Sequence, residues 1–143
     1  MKHYFLLFLA TIFLFSCDKK QENGTKHSGD KKFDMYEMSE MSLLMEQMYV
    51  DNERLKQRII KGDTIGKFPN HFLKIHSSVM TDEQENDTFF KQHANAFIKS
   101  QELIYLDSKN AKKHFNASID ACVQCHEVKC VGPIIRIKKL YIQ

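Results

Sequence analysis

The stretch FNASIDACVQCHEVKCVGP, residues 115–133, decides how the whole chain is read. Phe115, Ile119, Cys122 and His126 follow one another at four-, three- and four-residue steps. That spacing brings side chains onto one face of an α-helix. Nothing before Gly132-Pro133 interrupts it, and that pair supplies a stop. The helix is expected to begin near Ser108 and to end there.

The same period recurs upstream. Met38, Met41, Met45, Met48, Leu55 and Ile59 form one stripe, with Gly62 behind it as a C-cap. A second segment starts near Pro69, a residue suited to a first helical turn, and places Phe68, Phe72, Ile75 and Val79 on one side. Thr81 to Gln84 has the spacing of a capping box, and Asp82 offers a second cap. The helix behind it is expected to run to about Asp107, burying Phe90, Ala94, Phe97, Gln101 and Ile104. No segment alternates with period two. Four amphipathic helices on short loops predict an all-α protein, a four-helix bundle over residues 34–143. The tail from Ile134 to Gln143 is apolar and basic together and is expected to pack back over the bundle end.

With 143 residues there is room for one domain and not for two. An apolar share of 43% with 27% charged residues describes a soluble, globular body. The formal net charge is only +3 and the basic residues are scattered, which argues against nucleic acid as a partner.

The first residues read differently. Met1-Lys2-His3 is a short positive start, and Tyr4 to Phe15 is an apolar run. That run has the length of a signal-peptide core and is too short to span a bilayer, which takes about 20 apolar residues. Leu14-Phe15-Ser16-Cys17 resembles a bacterial lipobox, although Phe15 is bulkier than the usual occupant. The resemblance implies a signal peptide over residues 1–16, cleavage before Cys17, and lipid on Cys17. The chain would then be exported and held at a membrane on its periplasmic or outer side. An ordinary signal peptide with a chance cysteine is the alternative. Residues 17–33 read as anchor and flexible tether, since Asp18 to Lys32 contains no apolar residue.

The chemistry is carried by Cys122-Val123-Gln124-Cys125-His126. On a helix, positions three and four apart share a face, so both thiols and the imidazole project toward one object. Two thiols so placed suit addition across the two vinyl groups of a porphyrin, with the adjacent imidazole on the iron. The pentapeptide is the signature of c-type haem attachment. One such motif implies one covalent haem c. The export signal agrees, because haem c is attached outside the bacterial cytoplasm. A Cys122–Cys125 disulfide, a thioredoxin-like pair, and a zinc or iron–sulfur site using Cys130 as well are the other readings. Thioredoxin-like chemistry needs an α/β setting, and four ligands within nine residues are too local for an ordinary zinc site.

A helical bundle with Cys-x-x-Cys-His on its last helix resembles the class II cytochromes c, the cytochrome c′ family, over roughly Asp34 to Lys129. The resemblance implies a haem inside the bundle and a first-helix residue facing the open side of the iron. A methionine there implies six-coordinate iron and electron transfer. A non-ligating residue implies five-coordinate iron that binds small gases such as NO or CO. The family often carries a basic residue four positions after the histidine, near the haem propionates. Here that position is Cys130, leaving Lys129 or Arg136 as substitutes. The family is often dimeric, so a homodimer is a further expectation.

Met35, Met38, Met41, Met45 and Met48 are the first-helix thioethers. Spacing from Gly62, compared with the family layout, points to Met45 as distal ligand opposite His126, with Met41 and Met48 as neighbours in the count. A methionine stripe is also ordinary core material. His71, His76, His93 and His114 are competitors that more ordinarily sit on a surface or in a satisfied core. Cys130 reads as a small apolar residue or a reactive thiol. The leading expectation is a membrane-tethered electron carrier working between redox protein partners. The others are a gas-binding haem protein and one subunit of a larger respiratory complex. Beyond the iron no acid–base or nucleophile constellation is found, which argues against an enzyme.

Overall fold

The computed structural model describes residues 37–143, of which 73% are helical, and no strand occurs among them. The expectations for the leader, for Cys17 and for Met35 lie outside the described residues. No described helix is long and apolar enough to cross a membrane.

Helix α1 spans Glu40–Lys61. The Ser39 hydroxyl accepts the Ser42 N–H and caps its start, while Gly62, at φ +70°, closes its end. A left-handed residue costs glycine nothing, which is why the helix stops there. The apolar stripe buries Met41, Leu44, Met48 and Leu55, with Asn52 among them. Met45 and Ile59 are half-buried, and Met38 precedes the helix and is exposed.

The expected second α-helix is instead a seven-residue 3₁₀ segment, Asn70–His76. It buries Phe72 and Ile75, but Val79 is exposed and does not share their side. Val79 serves through its backbone. Its carbonyl accepts the Met41 N–H at 2.9 Å and its N–H reaches Glu40 Oε2 at 3.1 Å. It thereby satisfies a donor that the first turn of α1 would otherwise leave unpaired. An extended residue does this where another helical turn would not.

The next helix also starts later than expected. Asp82 caps only a single 3₁₀ turn, Glu83–Glu85, and Thr81 bonds to the Ser39 hydroxyl instead. Helix α2 spans Thr88–Leu106, with Asp87 Oδ1 accepting the Phe90 N–H at 2.8 Å. Phe90, Ala94, Phe97, Gln101 and Ile104 are all buried on it, as the spacing requires.

A 3₁₀ turn at Ser108–Asn110 leads into helix α3, Ala111–Lys129. It ends at Cys130, before Gly132-Pro133, and Pro133 opens a short helix α4, Ile134–Lys138. The tail does fold back. Ile137, Leu140 and Ile142 are buried with Leu55, Ile104, Phe115 and Ile119. The Asn116 amide clamps both backbone groups of Ile142, and Tyr141 donates to Asp120 at 2.6 Å. Helices α2 and α3 pack against each other along their length, whereas α1 makes few close backbone approaches to α3. Side chains, not backbones, therefore fill the α1–α3 junction.

Candidate haem-attachment site

Residues 111–129 contain neither glycine nor proline, so α3 stays regular through Cys122, Cys125 and His126. Both thiols are half-buried and unbridged. Cys122 packs against both halves of the core, Cys125 against one. Burial among apolar side chains, helped by the neighbouring Cys125, pushes the Cys122 thiol up to about 12. Burial also raises Cys125, against a smaller opposing pull from Lys129. The pair is therefore neutral at ordinary pH and unlike an activated thiolate couple. Among the described residues no three of His, Cys, Asp and Glu are grouped to hold a metal ion. The Cys122, Cys125, His126, Cys130 ligand set is thus not assembled, and Cys130 is exposed.

His126 Nδ1 lies 3.0 Å from the Cys130 carbonyl. A carbonyl oxygen only accepts, so Nδ1 is the donor, and in the neutral ring Nε2 is the nitrogen with the lone pair. The helix ends at Lys129, and the C-cap residue Cys130 supplies that carbonyl, which ties the helix end to the imidazole.

Two narrow clefts, of about 40 and 70 Å³, share Met45, Met48, Phe97, Cys122 and His126 in their walls. The first adds Phe90, His93 and Cys125; the second adds Tyr49, Asn52 and Arg136. Two larger surface concavities, about 790 and 560 Å³, lie elsewhere, beside Leu43 and His71 and beside Gly62 and Tyr105. Size and chemistry part company here, and the chemistry lies with the narrow pair.

The structure thus brings Met45 and Met48 to Cys122 and His126, while Met41 is buried away from the clefts and Met38 is exposed. His71 bonds to Asp51 at 2.8 Å and His114 to Asp107 at 3.0 Å, both away from the clefts, and His76 is exposed. His93 is half-buried, with Nδ1 2.9 Å from the Phe89 carbonyl, and it also borders the first cleft. Its position between Phe90 and Phe97 at helical spacing was the available signal.

Of the two basic substitutes, Lys129 is bound to Glu85 and Asp87 at 2.6 Å each. Arg136 lines the second cleft, 2.7 Å from Glu46 and 3.8 Å above the Tyr49 ring. Sequence reasoning placed Gln101 among the buried residues but missed Asn52 and the bonds that join the two amides. Gln101 Nε2 donates to Asn52 Oδ1 at 2.6 Å and to Ser118 Oγ at 3.0 Å, and Asn52 Nδ2 donates to the Met48 carbonyl at 2.8 Å.

The donor set fits a covalent haem. Two neutral thiols and a backed imidazole share one helix face, apolar walls surround them, and a thioether comes from α1. A guanidinium stands at the rim for a carboxylate. The clefts are far smaller than a porphyrin, so seating one requires side chains at the α1–α3 junction to yield. Methionine, with three rotatable bonds, yields most readily. No protein-family model, curated protein sequence or solved structure matches this chain.

Proposed function

We propose that this protein is a monohaem c-type cytochrome that carries single electrons between redox protein partners while tethered to a membrane through lipid on Cys17. In this reading its helices form a class II-like bundle in which the Asn70–His76 segment stands where a second long helix would run. The observation that carries the proposal is one constellation. Cys122, Cys125 and His126 share a face of α3, the imidazole is backed by a carbonyl, and Met45 borders the same clefts.

When bound, haem c supplies a one-electron couple whose potential responds to axial ligands, burial and hydrogen bonding. The rest falls to the chain. Cys122 and Cys125 fix the group covalently and His126 offers Nε2 as the proximal donor. Met45 offers sulfur, a soft donor that favours the reduced metal. Phe90 and Phe97 exclude water with apolar walls. Arg136 is the cation available to a carboxylate at the rim, since Lys129 is committed to Glu85 and Asp87. To take that carboxylate Arg136 would exchange its present partner, Glu46. A lipid on Cys17 with a polar tether behind it would keep the domain near its partners.

The test is the full-length protein exported by a bacterium equipped for haem attachment. Intact mass should show one added haem, lost in Cys122→Ala/Cys125→Ala. The ferrous protein should be low-spin, with a methionine methyl resonance shifted far upfield by the haem ring and absent from Met45→Ala. An unmodified mass sinks the haem reading. A high-spin ferrous protein that takes up carbon monoxide readily sinks the electron-carrier reading in favour of gas binding. A Cys17→Ala variant that stays in the membrane fraction rules out the anchor.

A further inference from the structure

The first cleft contains an imidazole for which electron transfer through a His126/Met45 pair has no use. His93 sits on α2 between Phe90 and Phe97, half-buried, and borders the same cleft as Met45, Cys122, Cys125 and His126. Its ring packs on Phe89 at 4.1 Å between centroids, and its Nδ1 lies 2.9 Å from the Phe89 carbonyl. By the argument applied to His126, Nδ1 is the donor, and the neutral ring has its lone pair on Nε2. The contrast with the other described histidines is sharp. His71 and His114 spend Nε2 itself on Asp51 and Asp107, and His76 lies exposed. Only His93 and His126 have Nδ1 tied back to a main-chain carbonyl, and both line one apolar cleft. Holding the far nitrogen on a carbonyl fixes the tautomer and ring of an imidazole that binds a metal.

Resting on the cytochrome reading above, we propose that His93 is a second imidazole ligand of the haem iron, occupying the sixth position of ferric iron in exchange with Met45, which occupies it in ferrous iron. Two donors compete for one position. Imidazole nitrogen suits the more highly charged metal, and thioether sulfur suits the reduced one. The exchange balances simply. One electron leaves for the redox protein partner, the Met45 sulfur departs with its lone pair, and His93 Nε2 donates its own. No proton moves, because Nδ1–H stays on the Phe89 carbonyl. Reduction reverses each step. His93 reaches the site from α2, which is packed against α3, and Met45 from α1, whose backbone approaches α3 closely at few points. Yielding of α1 side chains is what the exchange requires.

The experiment uses the full-length holoprotein, with intact mass read first. Absence of a covalent haem overturns this proposal together with the cytochrome reading. With haem attached, the ferric wild type should give the electron paramagnetic resonance and near-infrared magnetic circular dichroism of two imidazoles, and no methionine–iron band. His93→Ala should lose that signature and gain the methionine–iron band, and added imidazole should restore it. The ferrous methionine methyl resonance should survive in His93→Ala and vanish in Met45→Ala. A methionine–iron band or a high-spin signal in the ferric wild type overturns the ligand exchange and leaves the haem attachment standing. So does a ferric spectrum that His93→Ala leaves unchanged. The wild-type spectra decide the matter even if the variant folds poorly.

Discussion

Around Phe115 and Ile119 the core is aliphatic and closed, with the tail residues Ile137, Leu140 and Ile142 laid across it. Around Phe72 and Phe97 it contains Met41, Met45 and Met48 and opens into clefts beside the two thiols. The same three long helices build both regions, and Cys122 touches both. What differs is the material. β-Branched side chains with few rotamers (Ile104, Ile119, Val123, Ile137 and Ile142) specify the closed region, while methionines join the phenylalanines of the other. On the proposed cytochrome reading, the site admits a large flat group, which calls for side chains that can move. A region that must hold the helices meanwhile calls for side chains that cannot. The division places rigidity at the tail end and adaptability at the motif.

The largest effect expected from that contrast is in the closed half. Phe115 has no exposure, so Phe115→Ala should cost about 3–5 kcal/mol, as for other buried aromatic truncations. Denaturant titration of the haem-loaded protein measures it. A cost near 1 kcal/mol would mean that this region also collapses readily, and the distinction would fail.

Next comes the polar seam where the regions meet. The Asn52–Gln101–Ser118 chain has one self-consistent orientation. Asn52 must turn Nδ2 to the Met48 carbonyl, so its oxygen faces Gln101, which must therefore offer Nε2. Ser118 gives its proton to the Phe115 carbonyl at 2.7 Å and can only accept from Gln101. Gln101 Oε1 is left without a protein partner. Gln101→Leu would remove that orphan and create another at Asn52 Oδ1. The net loss should fall toward the lower end of about 1–3 kcal/mol. A stabilised variant would show that the seam is tolerated for its placement of Asn52 at the cleft wall and not for stability.

Much of this arrangement was legible in the sequence. The stripes of α1 and α2, the Gly62 cap, and the common face of Cys122, Cys125 and His126 follow from a 3.6-residue period alone. The misreadings have a common cause. Val79 is governed by the Met41 N–H, Thr81 by the Ser39 hydroxyl and Asp87 in part by Lys129, all remote in the chain, and local spacing carries no record of them. Asn52 and Gln101 have the same blind spot, since a polar residue on an apolar stripe declares burial but not its partner. His93 was within reach as the third member of a Phe90, His93, Phe97 face.

In the adaptable half, Met48→Leu should cost less than about 1.5 kcal/mol, since it keeps volume and loses mainly flexibility. Its informative effect would be on loading. With a stiffer side chain at both clefts, the fraction of exported protein that acquires haem mass should fall while stability hardly changes. Unchanged loading would indicate that methionine is there as plain core.

The smallest effect concerns the acidic clamp at the start of α2. Asp87 caps that helix and also binds Lys129, one turn beyond Cys125 on α3. The Lys129 ammonium first, and then the Phe90 N–H, hold its carboxyl below the ordinary 3.8. A depressed carboxyl contributes stability at pH values above its unfolded value, and the contribution disappears as pH falls through its folded value. Asp87→Asn can still cap the helix but cannot pair with Lys129. The variant should therefore melt slightly below the wild type at neutral pH, and the gap should narrow in acid. Salt should narrow it as well, because the Asp87 carboxylate is exposed. A gap constant from neutral pH to well below the carboxylate range would place the role of Asp87 in capping alone. Lys129 would then have no part in joining the start of α2 to the end of α3.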